Sequence, residues 1–199
     1  MHEKLKPNGI TKVAPMIAAG YGVQNISIDR NWLGLEHVKD SYCAIDCTEQ
    51  LIEYDFPRIN GHDFYDSPSV IKDIALEQNV NLEGVKMFYY EVYNQEFDEE
   101  TLAWRDFKDL SRIEGIDTDV RIPSHFTFEG FDICPYIYTP QCSVLFCNQV
   151  AKDVTVNEHC LISDFETAKS FIESECRNSE IKQLGEPGPY RIYAVYTIN

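Results

Sequence analysis

Val85-Lys86-Met87-Phe88-Tyr89-Tyr90-Glu91-Val92-Tyr93 carries apolar or aromatic side chains on both faces of a period-2 pattern. Successive residues of a strand point to opposite sides of a sheet, so a segment that is apolar on both sides belongs between two covering layers. The stretch reads as an interior strand. A polar turn at Phe97 to Glu100 leads into Leu102 to Phe107, so Val85 to Phe107 is predicted to form a hairpin with an acidic loop.

The elements on either side set the fold class. Ser67 followed by Pro68 gives a helix N-cap with proline at the first helical position, and Val70, Ile71 and Ile74 share one face before Asn79, predicting a helix over 68–79. A second helix opens at Ser163, with Glu166 completing a capping box and Phe165, Ala168, Phe171 and Ile172 forming one stripe. The run 185–189, Gly-Glu-Pro-Gly-Pro, excludes regular structure and introduces a closing strand from Tyr190 to Ile198. Further strands are predicted at Val23 to Ile28, Tyr42 to Ile45, Leu51 to Tyr54, Phe131 to Tyr138 and Ser143 to Cys147. Many short strands and two or three helices, without βαβ alternation, indicate an α+β fold with a largely antiparallel sheet. No internal repeat or linker is read, so residues 1–199 are expected to form a single domain.

Composition bounds the function. A chain of 199 residues with 44% hydrophobic and 25% charged residues is long enough to bury roughly 70% of its unfolded surface without covalent staples. The first ten residues hold Lys4, Lys6, Pro7 and Gly9 and no apolar run, and nowhere do eighteen apolar residues follow one another. Neither secretion nor membrane spanning is expected. Seven cysteines, an odd number, indicate reduced thiols and a cytoplasmic setting.

The formal charge of −16, from 33 acidic and 17 basic residues, repels nucleic acid and anionic membrane and attracts basic partners. From Glu91 to Asp119 there are ten acidic residues against three basic ones, Arg105, Lys108 and Arg112. Tyr93, Phe97, Trp104 and Phe107 are interleaved with them. Carboxylates that steer, beside aromatics that anchor, form the composition of a surface recognising a basic protein. The residues assigned to that surface are Glu96, Asp98, Glu99, Glu100, Trp104 and Asp106. The competing reading is a solvated hairpin edge guarded by charge.

No phosphate-cradling glycine loop, nucleophile elbow or His-Glu-x-x-His motif occurs. No cofactor is therefore expected, with zinc as the alternative. The constellation that raises zinc is Cys142 and Cys147 followed by His159 and Cys160, since thiolate and imidazole are the ligands tetrahedral zinc takes. Adjacent His159 and Cys160 would face opposite ways in a strand, so at most one joins a given site. Cys142 or Cys147 with His125 or His159 would also suit a thiol nucleophile, because a neighbouring imidazole lowers a thiol's pKa. The run Asn60-Gly61-His62-Asp63 places an imidazole and a carboxylate in a turn, an acid-base candidate set against a plain loop. Cys43 and Cys47 read as packing residues.

The blocks 130–148 (GFDICPYIYTPQCSVLFCN) and 186–192 (EPGPYRI) resemble segments of an uncharacterised bacterial protein group. The resemblance implies a bacterial, cytosolic setting and carries no functional residue onto this chain.

From charge and motifs, the expected function is that of an acidic binding protein that neutralises a basic partner, in the manner of an immunity protein acting on a nuclease-like toxin. The alternative is a thiol- or zinc-dependent enzyme built on the region from Cys142 to Cys160.

Overall fold

The computed structural model describes residues 15–24, 26, 30–45, 51–53, 55, 57–106, 119–137, 139–178 and 184–198. In chain order the elements are β1 (Met16–Gln24), α1 (Arg30–Leu33), α2 (Pro68–Glu77), β2 (Lys86–Tyr93), β3 (Gln95–Asp98), β4 (Ala103–Asp106), β5 (Phe126–Pro135), a 3-10 turn (Val150–Lys152), α3 (Phe165–Arg177) and β6 (Tyr190–Ile198). The strands form one antiparallel sheet, and the fold is α+β. Among the described residues no helix is long and apolar enough to cross a membrane.

β6 lies in the middle of the sheet. β5 runs along one side of it, and β2 followed by β3 runs along the other. Outside β2 and β3 lie β1 and β4. Tyr190 to Thr197 are all buried, as the interior position requires. On one face Phe88, Tyr90, Val92, Tyr193 and Val195 pack under Tyr42, Ala44, Phe64 and Leu161 from the loops. On the other, Tyr89, Phe131, Ile133, Ile192 and Ala194 join a core closed by Ile71, Ile74 and Ala75 of α2 and by Ala168, Phe171 and Ile172 of α3.

The sheet contains a repeated construction. Gly20 of β1 faces Tyr90, Tyr90 faces Val195, and Val195 faces Gly130 of β5, so one row of residues across the sheet has a glycine at each end. At both glycines the register shifts, leaving Ala19 and Glu129 as bulged residues. Each bulge is braced by an asparagine from a loop: Asn60 Nδ2 donates to the Ala19 carbonyl at 2.9 Å, and Asn157 Nδ2 donates to the Glu129 carbonyl at 2.7 Å. Beside each bulge the loop adds a β-bridge, Tyr21 with Tyr65 and Phe131 with Ile162. Each loop carries a positive φ three residues after its asparagine, at Asp63 and Cys160. A helix and then a strand follow in both halves. No repeat is read in the sequence, and the correspondence lies in the backbone. The two halves share this backbone plan, and the side chains they have in common there are asparagine, histidine and glycine.

Other expectations shift. The first strand is Met16–Gln24, beginning before the expected Val23 because pairing with β2 imposes extension on the weak strand formers Ala18, Ala19 and Gly20, and residues 25, 27 and 28 of the expected strand lie outside the described residues. Residues 42–45, 51–53 and 143–147 form no strand. Their backbone groups pair elsewhere: Tyr42 N donates to the His159 carbonyl, and Cys147 N donates to the Ser143 carbonyl. Strand β5 begins at Phe126 and ends at Pro135. The long hairpin is broken at Asn94, and only β3 and β4 make the tight pair; Phe107 lies outside the described residues. Asp164 caps α3 in place of Ser163, accepting from Thr167 N at 2.8 Å. The helix from Pro68, the strand ending at Tyr93 and the strand Tyr190–Ile198 form as predicted.

Candidate functional site

Glu96 and Asp98 alternate with Phe97 along β3, and they point to the sheet face away from α3. There Glu96, 6% exposed, accepts from Arg191 Nε at 3.1 Å and Nη2 at 3.0 Å. Its other oxygen accepts from Arg105 Nε at 3.2 Å. Asp98, 8% exposed, accepts from Arg105 Nη1 at 2.5 Å and from the amides of Glu100 and Thr101. Although burial opposes it, those amides and Arg105 hold Asp98 below the usual carboxylate range. These two carboxylates are therefore spent inside the molecule, which corrects their assignment to a partner-facing surface.

The other residues of that assignment stay nearer the surface. Glu100 and Asp106 are exposed, Glu99 is half-buried and accepts from the Tyr190 hydroxyl at 3.3 Å, and Trp104 is half-buried. The Trp104 indole N–H donates to Glu173 of α3 at 2.7 Å.

Arg191 itself stacks on Tyr136, its guanidinium carbon 3.5 Å from the ring centroid. Asp63 faces the same group. Burial pushes its carboxyl up to about 6, against the opposing pull of Arg191. His62 is fully enclosed at 2% exposure. The run 60–63 is thus one of the two bracing loops, with its imidazole sealed in the core.

The second bracing loop holds His159 and Cys160, and it sends them apart. The His159 ring lies flat on Tyr42, centroids 4.1 Å apart, and its Nδ1 is 2.5 Å from Asp40. Its Nε2 is 3.8 Å from Glu129 and 3.9 Å from Glu158. Cys160 is buried, and desolvation pushes its thiol up to about 12. Burial also raises Cys134 and takes Cys176 to about 12, the opposite direction from a thiolate nucleophile. Cys142 precedes the turn at 144–148, Cys147 lies within it, and both are half-buried. His125 is exposed, and Cys47 lies outside the described residues. Among the described residues no group of three or more His, Cys, Asp or Glu side chains is gathered to hold a metal ion.

Sequence reasoning missed Asp132, which is fully buried on β5. Its Oδ2 accepts from Ala44 N at 2.6 Å, and its Oδ1 accepts from Ser143 Oγ at 2.6 Å and Ile133 N at 2.8 Å. Cys134 Sγ lies 3.7 Å away. Burial raises this carboxyl to about 6 despite all four donors. Asp132 ties the loops around Ala44 and Ser143 to the sheet. A polar residue at a period-2 position between Phe131 and Ile133 was the only signal in the sequence.

No protein-family model matches the chain, and no curated protein or solved structure does so either.

Proposed function

We propose that this chain is an acidic binding protein that covers and neutralises a protein with a basic surface, as an inhibitor of a nuclease-like toxin would. The observation that carries the reading is where the charge lies. Buried Glu96 and Asp98 are matched by arginines, whereas Glu53, Glu83, Glu100, Asp119, Asp153 and Glu166 are exposed. Among the described residues much of the negative charge therefore faces solvent, and such a field steers cationic partners and speeds their association.

Affinity capture from lysate of the source cells at low salt, elution at high salt, and titration of the recovered protein against the purified chain test the proposal. A one-to-one complex with a basic protein, weakening steeply as salt rises, is the expected result. Recovery of no stoichiometric partner, or an affinity indifferent to salt, would overturn it.

A further inference from the structure

Between the edge strand β4 and helix α3 runs a seam that already holds a cation. The Lys169 ammonium lies 5.3 Å from the centroid of Trp104 and 5.8 Å from that of Tyr93, within the range of cation–π attraction. The two rings are fixed from below. Trp104 meets Phe97 and Tyr93 edge-on, with centroids 5.3 Å and 5.6 Å apart, and its N–H is held by Glu173. The Tyr93 hydroxyl donates to Gln95 at 2.9 Å.

Carboxylates rim this aromatic floor. Asp106 and Glu166 are exposed. Glu173 is partly exposed, at 28% of its side chain. Tyr93 is raised by burial first and then by the charges of Glu166 and Asp106, so both carboxylates bear directly on the floor.

Lys169 is a flexible occupant that presents a point charge to two rings set at 68° to each other, the half-buried Trp104 and the buried Tyr93. An arginine would do more in the same place, because its guanidinium stacks flat on aromatic rings while its fork of donors reaches carboxylates. Within this molecule Arg191 makes such a stack, on Tyr136. We infer that the Tyr93–Trp104 seam, rimmed by Asp106, Glu166 and Glu173, is the docking site for an arginine side chain of the basic partner, which displaces Lys169. The inference rests on the acidic-binding reading and gives it a location.

A synthetic nona-arginine peptide is the probe, titrated by calorimetry at low ionic strength into the full chain and three variants. Neutralising the seam (Asp106→Asn with Glu166→Gln) should weaken binding about five-fold, whereas neutralising Glu53 and Glu83 together, away from the seam, should change it less than about two-fold. Lys169→Met, which keeps the length of the side chain and removes the resident cation from the seam, should tighten binding by a few-fold, roughly the strength of one cation–π contact. All of the altered side chains are at least partly exposed, and a thermal melt of each variant verifies that it folds. Equal weakening by the two neutralised pairs would overturn the docking site and leave the acidic-binding reading standing. Unchanged or weaker binding by Lys169→Met would overturn the displacement. Failure of the unaltered chain to bind the peptide would overturn the acidic-binding reading itself.

Discussion

The side-chain amides of Asn60 and Asn157 hold the same place in the two halves of the sheet. Each donates to the carbonyl of a bulged strand residue, and each accepts from the amide of a histidine two positions on, His62 or His159, at 2.9 Å. Each also accepts from the residue four positions on, Phe64 or Leu161. One side chain thereby satisfies a strand carbonyl freed by the bulge and two loop amides that have no ladder partner.

Replacing either asparagine by alanine should leave these groups unpaired, buried at Asn60 and half-buried at Asn157. A loss of about 3 kcal/mol in unfolding free energy is expected for Asn60→Ala and about 2 kcal/mol for Asn157→Ala. Urea denaturation measures both, and a loss confined to one of them would show that the halves are not braced equivalently.

The bulges themselves depend on glycine. Gly20 and Gly130 have φ of +136° and +151°, and a Cβ at either would come within 2.7 Å of Phe64 and Tyr65 or within 2.6 Å of Leu161. Gly20→Ala and Gly130→Ala should each cost more than about 3 kcal/mol, since backbone strain and a collision with loop backbone and core add together. Soluble yield and melting temperature report the effect.

Asp132 sets a pH dependence whose sign follows from its direction of shift. Burial pushes its folded carboxyl up to about 6, above the usual carboxylate range, so the folded state binds the proton more tightly than the unfolded chain. The stability this contributes is complete below the unfolded value and is lost as pH rises through about 6. Asp132→Asn cannot titrate. Comparing urea unfolding at about pH 4.5 and about pH 7.5, the parent should lose about 2 kcal/mol relative to this variant on going to the higher pH.

The ion pair of Arg191 with Glu96 is buried on both sides, whereas Arg105 is half exposed. Arg191→Met leaves buried Glu96 with only the half-exposed Arg105 as its charged partner and should cost about 3 kcal/mol. Arg105→Met should cost about 1 kcal/mol or less. Denaturant titrations of the two variants side by side check the contrast.

The buried thiols should be inert in the folded protein. Cys134 and Cys160 are enclosed and raised by desolvation, so alkylation near neutral pH followed by peptide mapping should leave both unmodified until denaturant is added. Rapid labelling of either under native conditions would contradict this.

Several parts of this architecture were legible in the residues alone. Continuous apolar character on both faces of 86–93 and 190–198 marks interior strands, and Ser67-Pro68 and the stripe from Phe165 to Ile172 mark the two helices. These signals are local: period, cap and composition act within a few residues. Strand β1 was not legible, because its Ala-Ala-Gly run extends only when β2 lies beside it. The loops at 42–45 and 143–147 were misread because their apolar residues fill a core without joining a ladder.

The sequence by itself determined an α+β chain, the central strands, two amphipathic helices and a large negative charge. Tertiary structure alone decided which carboxylates face outward. Glu96 and Asp98 differ from Glu100 and Asp106 only in what folds against them, and an arginine 95 residues further along the chain from Glu96 leaves no mark in its neighbourhood. Tertiary structure also exposed the repeat. A backbone plan is kept by hydrogen bonds to main-chain groups, which are common to every residue type, so two halves can share their construction while most of their side chains differ.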